Sequence, residues 1–147
     1  MRILLIGWPG SGKTTAAKLL AAQHGLVHQS TDPWRFCFAG ERGIPDELDF
    51  AGENGGAKYV AEKLLGRPRM IIEGCALPRA LRRWHIANPG KPPPAERIIR
   101  LTANHLPFLK PGQKAQGRGI DTVLAELMPW LGPHLETRAT LITRPIP

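Results

Sequence analysis

Cysteine and long apolar runs are scarce in this 147-residue sequence. The two cysteines, Cys37 and Cys75, form no metal-binding or redox motif and do not indicate a disulfide framework. No apolar run approaches the roughly 20 residues that a transmembrane helix needs. The chain enters a strand-like segment almost at once, which leaves no room for a signal peptide. The sequence therefore predicts a reduced, cytoplasmic protein that has no membrane partner.

Acidic residues are also few, because 12 Asp and Glu stand against 20 Lys and Arg, and the net charge is +8. A nucleic-acid partner is one interpretation of such a charge. The other is an enzyme that handles polyphosphates and carries its remaining cations on a solvated surface. No block of five or more Lys or Arg occurs, and the few aromatic residues do not alternate with the charges. The pattern favours the second interpretation and leaves a nucleic-acid partner open.

Short apolar segments alternate with helical patterns along the chain, which predicts an α/β fold whose parallel sheet has helices on both faces. The length fits a single domain over residues 1–147. Residues 105–119 are rich in Gly, Lys and Gln without an apolar period, and indicate a mobile loop. The predicted strands cover residues 3–6, 26–29, 70–72, 98–101 and 140–143, and the main predicted helices cover 14–24, 57–65, 78–87 and 120–131.

One loop near the start matches the phosphate-binding pattern G-x-x-x-x-G-K-[ST] at every fixed position. An apolar strand enters the loop and an Ala/Leu-rich helix leaves it, which is the context that the motif requires. The alternative is a plain Gly-rich turn between a strand and a helix. The predicted nucleotide-binding residues are Gly7, Trp8, Pro9, Gly10, Ser11, Gly12, Lys13, Thr14 and Thr15.

The residue types of this loop suit a triphosphate. Its glycines let the backbone turn tightly and come close to a ligand. Successive N–H groups then form an anion-binding nest at the positive end of the following helix. Lys13 would reach the outer phosphates, and the Thr14 hydroxyl would ligate Mg²⁺. The loop therefore predicts ATP and Mg²⁺ as ligands.

Together with the Ser30-Thr31-Asp32 turn and the Glu73-Gly74 strand end, this loop makes the sequence resemble the small P-loop kinases. These are the nucleoside-monophosphate, shikimate, gluconate and polynucleotide 5′-hydroxyl kinases. The resemblance covers nearly the whole chain as an order of elements and is specific in three patches. It implies a three-layer P-loop NTPase fold with a five-stranded parallel sheet in the order 2-3-1-4-5. Both substrates would bind over the carboxyl ends of the strands.

The end of the second strand looks like the acceptor site of that family. Adenylate-kinase-like members carry a Thr and an Arg that bind the acceptor phosphate, and Thr31 and Arg35 resemble this pair. Hydroxyl-phosphorylating members place an Asp here as a base, and Asp32 resembles that residue. An alcohol gains from an oriented carboxylate, so Asp32 favours a hydroxyl acceptor. The alternative for Asp32 is a helix N-cap before Pro33.

The third strand ends in Glu-Gly where the family usually has Asp-Gly. By resemblance, Glu73 would act on Mg²⁺, although a carboxylate that caps loop amides is the alternative. Arg79 on the next helix could bind an acceptor phosphate, or could simply be solvated.

Residues 105–119 stand at the position of the family's lid, which closes over the donor and brings cations to the transferring phosphoryl group. The family's paired lid arginines are missing. Arg118 is the preferred candidate for this role, followed by Lys114. The alternative is a flexible basic surface loop.

The predicted function is that of an ATP- and Mg²⁺-dependent kinase, with Lys13, Asp32 and Arg118 as catalytic residues. Its acceptor would be a small hydroxyl or phosphate compound, of the nucleoside or nucleotide type, or a polynucleotide 5′ end. The rival hypothesis is a nucleic-acid-associated P-loop NTPase or a nucleotide-binding module without acceptor chemistry. Both a monomer and a homodimer fit the sequence.

Overall fold

A computed structural model describes residues 1–31, 57, 60–102 and 109–139. Its centre is a sheet of five strands in the order β2-β3-β1-β4-β5, in which every neighbouring pair is parallel. The predicted α/β fold and strand order are therefore confirmed. The strands are β1 (Ile3–Gly7), β2 (Val27–Ser30), β3 (Met70–Glu73), β4 (Arg97–Thr102) and β5 (Leu135–Ala139).

Both faces of the sheet are covered, which explains why the central strand β1 is apolar along its whole length. Ile3 and Leu5 pack with the helix α1 (Lys13–His24) on one face. Leu4 and Ile6 pack on the other face with α2 (Leu77–Ala87) and α3 (Pro111–Leu131). Within the described residues, no helix is both long and apolar enough to cross a membrane.

The helices α1 and α2 begin and end close to the predicted residues. Gly25 closes α1 in the left-handed conformation, at φ 64°, where a residue without Cβ is favoured. Pro78 lies in the first turn of α2, as its ring geometry allows. The helix predicted over 57–65 is observed as a helical residue at Ala57 and a π-helical segment at Val60–Leu64.

The fifth strand lies earlier in the chain than predicted. The helix α3 ends at Leu131, a 3₁₀ turn follows at Gly132–His134, and β5 begins directly at Leu135. The predicted range 140–143 lies outside the described residues. β5 is an edge strand with only two partly buried residues, so it lacks the apolar pattern on which the prediction relied. Arg97 of β4 binds the Glu136 carboxylate through two hydrogen bonds of 2.9 and 3.0 Å, and this ion pair lowers the pKa of Glu136 to about 2.

The predicted lid loop over 105–119 is wrong for residues 111–119, because these residues form the first turns of α3. Residues 105–108 lie outside the described part of the chain. Each glycine costs a helix about 1 kcal/mol relative to alanine, which is why the composition indicated a loop. Tertiary contacts explain the exception: the Trp8 ring lies against Gly117, where a Cβ would overlap its atoms. Pro111 at the first helical position and Gln113 two residues later are start signals that the prediction missed.

Candidate functional site

The loop between β1 and α1 has the backbone geometry of an anion-binding nest. Gly10 and Gly12 have positive φ angles of 76° and 84°, which a residue with a Cβ rarely adopts. The Ser11 N–H donates to the carbonyl of Trp8 at 3.1 Å, and α1 begins directly after Gly12. The loop N–H groups therefore lie at the positive end of a 12-residue helix.

A cavity of about 430 Å³ opens beside this loop. The loop forms one wall, the carboxyl end of β3 forms another, and the first turns of α3 form a third. This is the edge of a parallel sheet at which open α/β folds bind ligands. The lining residues are Pro9, Gly10, Gly12, Lys13, Thr14, Thr15, Glu73, Cys75, Gln113 and Gln116.

Lys13 borders the cavity although its side chain is almost entirely buried, with 7% of the residue exposed. Its Nζ donates a 2.9 Å hydrogen bond to the Trp8 carbonyl and so spans the loop. Burial of a lysine amine is costly unless its N–H groups are bonded. The loop thus holds a cation at its mouth, where a polyphosphate can supply further acceptors.

Glu73 connects three elements at the opposite wall. Its carboxylate is 1% exposed, and its Oε1 accepts a 3.3 Å hydrogen bond from the Thr14 hydroxyl of α1. His28 Nε2 of β2 lies 3.3 Å from the same oxygen, a position from which the ring N–H donates. The pairing of Ser30 with Glu73 in the sheet places His28 on the same face, because side chains alternate along a strand.

His28 is a site residue that the sequence did not reveal. Its contact with Glu73 joins residues 45 positions apart, and no motif links the two. Only the register of β2 against β3 would have indicated this contact, because it brings His28 beside the Glu73 carboxylate. Of the two residues, Glu73 lines the cavity, and His28 contacts it from β2.

Comparisons with known proteins identify the family and the fold of this chain. A family model described as an AAA domain matches residues 3–86, from β1 to the penultimate residue of α2. The chain belongs to this AAA domain family. No curated protein matches the sequence significantly.

Two solved kinase structures share the fold of this AAA domain. One is a gluconokinase from Sinorhizobium meliloti 1021, with a TM-score of 0.52 and 16% identity, over 98% of this chain and 83% of that chain. The other is a shikimate kinase from Bacteroides thetaiotaomicron, with a TM-score of 0.51 and 14% identity, over 95% and 86% of the two chains. The resemblance to small P-loop kinases is thus confirmed at the level of the fold.

Among the predicted acceptor residues of this AAA domain, Thr31 is buried at the end of β2. Its N–H donates to the Glu73 carbonyl at 2.8 Å, and its Oγ1 accepts a 3.4 Å hydrogen bond from the Ala76 N–H. A Cβ on Gly74 would overlap Thr31 Oγ1, so the glycine makes room for this contact. Thr31 therefore anchors β2 to the turn after β3, and its role in acceptor binding stays a prediction.

Asp32 and Arg35 lie outside the described residues, and their acceptor roles also stay predictions. Arg79 is partly exposed on α2 and does not line the cavity. Its guanidinium lies beside α3, where a Cβ built on Gly119 would come within 3.4 Å of Nη2.

The structure does not bring the predicted lid cations to the cavity. Lys114 and Arg118 belong to the second and third turns of α3, and Arg118 is exposed to solvent. Neither residue is among those that line the cavity, whereas Gln113 and Gln116 of the same helix are. The sequence did not single out these two glutamines, because the rotation of the helix about its own axis determines which of its side chains face the cavity.

Proposed function

We propose that the protein is an ATP-dependent phosphotransferase that moves the γ-phosphoryl group to a small hydroxyl or phosphate acceptor. The observation that carries this proposal is the cavity in which the loop, Lys13 and Glu73 meet at the carboxyl ends of the strands. Its volume of about 430 Å³ suits a small ligand. The family match and the shared fold of two small-substrate kinases support the same activity.

The donor side of the site follows from the described residues. The loop N–H groups would bind the β-phosphate, and Lys13 would turn from the Trp8 carbonyl toward the outer phosphates. The oxygens of Thr14 and Glu73 are the ligand type that Mg²⁺ prefers, and their 3.3 Å contact puts both at one edge of the cavity. A bound Mg²⁺ would neutralise phosphate charge there.

The acceptor side of the proposal depends on Asp32, Arg35 and Arg79. Asp32 would orient an acceptor hydroxyl and accept its proton, and the arginines would anchor an acceptor phosphate. The Thr31 N–H donates to the Glu73 carbonyl, so the residue that precedes Asp32 lies next to Glu73. This adjacency supports an acceptor that approaches the donor from the β2 side.

The function is tested by incubating γ-labelled ATP and Mg²⁺ with separate acceptors. The acceptors are a sugar acid, a cyclic hydroxy acid, nucleosides, nucleoside monophosphates and a 5′-hydroxyl oligonucleotide. We expect label transfer to one class at a rate well above that of ATP hydrolysis alone. The net charge of +8 leaves the rival NTPase open. Hydrolysis stimulated by nucleic acid, with no labelled acceptor, would establish that rival and refute the kinase.

His28 is expected to position Glu73 rather than to touch a substrate. We expect His28→Leu to lower kcat about tenfold with little change in the KM for ATP, because hydrogen bonds to charged groups contribute about 1.5–3 kcal/mol. His28→Gln should restore most of the rate, since its amide N–H can donate to the same oxygen. Steady-state kinetics at several Mg²⁺ concentrations measures both effects. Equal losses in the two variants, together with lowered thermal midpoints, would indicate a purely structural contact.

A further inference from the structure

Helix α3 contributes two amide side chains to the wall of the cavity. Gln113 and Gln116 line the cavity together with residues of the loop. Successive residues of an α-helix are rotated by about 100°, so Lys114 and Arg118, each two positions from Gln116, point roughly 160° away from it. Among the described residues that line the cavity, Lys13 is the only cation.

Packing fixes this rotation of α3. Gly117 is buried under the Trp8 ring, and a Cβ at Gly117 would overlap the ring atoms Cδ2, Cε3 and Cε2. Further along the same face, Ile120 and Leu124 are buried in the core between α3 and the sheet. A rotation that brought Arg118 to the cavity would break both contacts. The glutamines are therefore the side chains that α3 offers to a ligand on the loop.

Gln113 is oriented by its own helix. Its Oε1 accepts a 2.9 Å hydrogen bond from the Lys110 N–H, which ties the carbonyl end of the amide to the start of α3. The other end of the amide is Nε2, a group with two N–H donors. Amide N–H groups can bind phosphate oxygens without adding charge to the site.

We propose that Gln113 and Gln116 bind the outer phosphates of the nucleotide and replace the lid cations expected from the sequence. This inference rests on the proposed function, because it assigns residues to the donor subsite of that reaction. Lys13 approaches the phosphates from the loop, and the two amides approach them from α3. A contact with the γ-phosphate strengthens the binding of ATP more than that of ADP.

The test compares Gln116→Ala with Gln116→Glu by calorimetry, with ADP and with a non-hydrolysable ATP analogue. Glutamate has nearly the shape of glutamine but replaces two donors with negative charge. We expect the Kd for the ATP analogue to rise about tenfold in Gln116→Ala and about thirtyfold in Gln116→Glu, with smaller changes for ADP. If Gln116 served only in packing, the loss of affinity would be larger in Gln116→Ala than in Gln116→Glu, because glutamate preserves packing better than alanine. Gln23→Ala, the same change at an exposed position of α1, is the matched control.

The variant Gln113→Glu distinguishes a role in nucleotide binding from a role in the stability of α3. A carboxylate at this position can still accept the Lys110 N–H, and negative charge is favourable near a helix N-terminus. We therefore expect an unchanged or raised thermal midpoint together with a Kd for the ATP analogue that is raised about tenfold. A kinetic comparison adds Arg118→Ala, for which we expect a smaller loss of kcat/KM than for Gln116→Ala.

Three results would overturn the inference. The first is unchanged affinity in the Gln116 variants while the wild type binds the nucleotide. The second is a larger loss of affinity in Gln116→Ala than in Gln116→Glu, and the third is a larger loss of kcat/KM in Arg118→Ala than in Gln116→Ala. In each case the proposed function survives. A wild-type protein that binds neither nucleotide refutes both, and one that binds but transfers no phosphoryl group refutes only the function.

Discussion

Replacing Lys13 with alanine is expected to lower the kcat/KM for phosphoryl transfer by about a thousandfold or more, while the protein stays folded. Lys13 is the only cation among the described residues of the cavity wall, and its buried amine is bonded to the Trp8 carbonyl. Removal of one group that stabilises transition-state charge costs on the order of 10²–10³ in rate. Weaker ground-state binding of the triphosphate adds to this loss in kcat/KM.

The measurement is labelled transfer from ATP to the acceptor that the panel of acceptors identifies, with circular dichroism as a check on folding. Lys13→Met is a useful second variant, because it keeps the aliphatic stem packed beside the loop. Lys18→Ala is the matched control, since Lys18 belongs to the same helix and is exposed. Transfer by Lys13→Ala within tenfold of the wild-type rate would contradict the assignment of this loop to the donor phosphates.

The second large effect is expected from two glycines of α3 that are five residues apart. At Gly117 an added Cβ would overlap three atoms of the Trp8 indole, which are part of a rigid fused ring. At Gly112 an added Cβ meets nothing within 4 Å. We expect Gly117→Ala to lower the free energy of unfolding by about 2–3 kcal/mol through overpacking. Gly112→Ala should raise it by about 0.5–1 kcal/mol, because alanine is the better helix former.

Urea unfolding shows whether each of the two substitutions lowers or raises the free energy of unfolding. Gly117→Ala should also weaken nucleotide binding, because Trp8 is part of the phosphate loop and must move with its ring. Combining Gly117→Ala with Trp8→Ala removes the overlap, so the double variant should lose less stability than the two single losses added together. If Gly117→Ala were as stable as Gly112→Ala, the packing that sets the rotation of α3 would be refuted.

The confirmed predictions concern elements whose determinants are close together in the sequence. The strand β1, the loop and α1 occupy residues 3–24 without a break, and Gly10 and Gly12 supply the positive φ angles that the turns of the loop need. An apolar run that is buried on both faces and a helix that ends at Gly25 can be recognised from a few adjacent residues. The parallel α/β arrangement follows from the alternation of such elements.

The errors concern elements whose determinants are distant. The first turns of α3 contain three glycines, and at one of them, Gly117, the Trp8 ring occupies the space that a side chain would fill. The edge strand β5 is polar, and its pairing with β4 and the ion pair between Arg97 and Glu136 take the place of an apolar pattern. Neither contact can be recognised from the pattern of ten consecutive residues.

The amino-acid sequence alone determined that this chain has a glycine-rich loop with the phosphate-binding pattern between a buried strand and a helix, and that its strands and helices alternate. It could do so because backbone freedom at glycine and apolar periodicity are local properties. Only the tertiary structure decided which side chains line the cavity beside the loop: Glu73, which His28 contacts, and the two glutamines Gln113 and Gln116. The reason is that strand register and helix rotation are set by packing between segments far apart in the chain, and the position of a charge in the sequence does not reveal the direction in which it points.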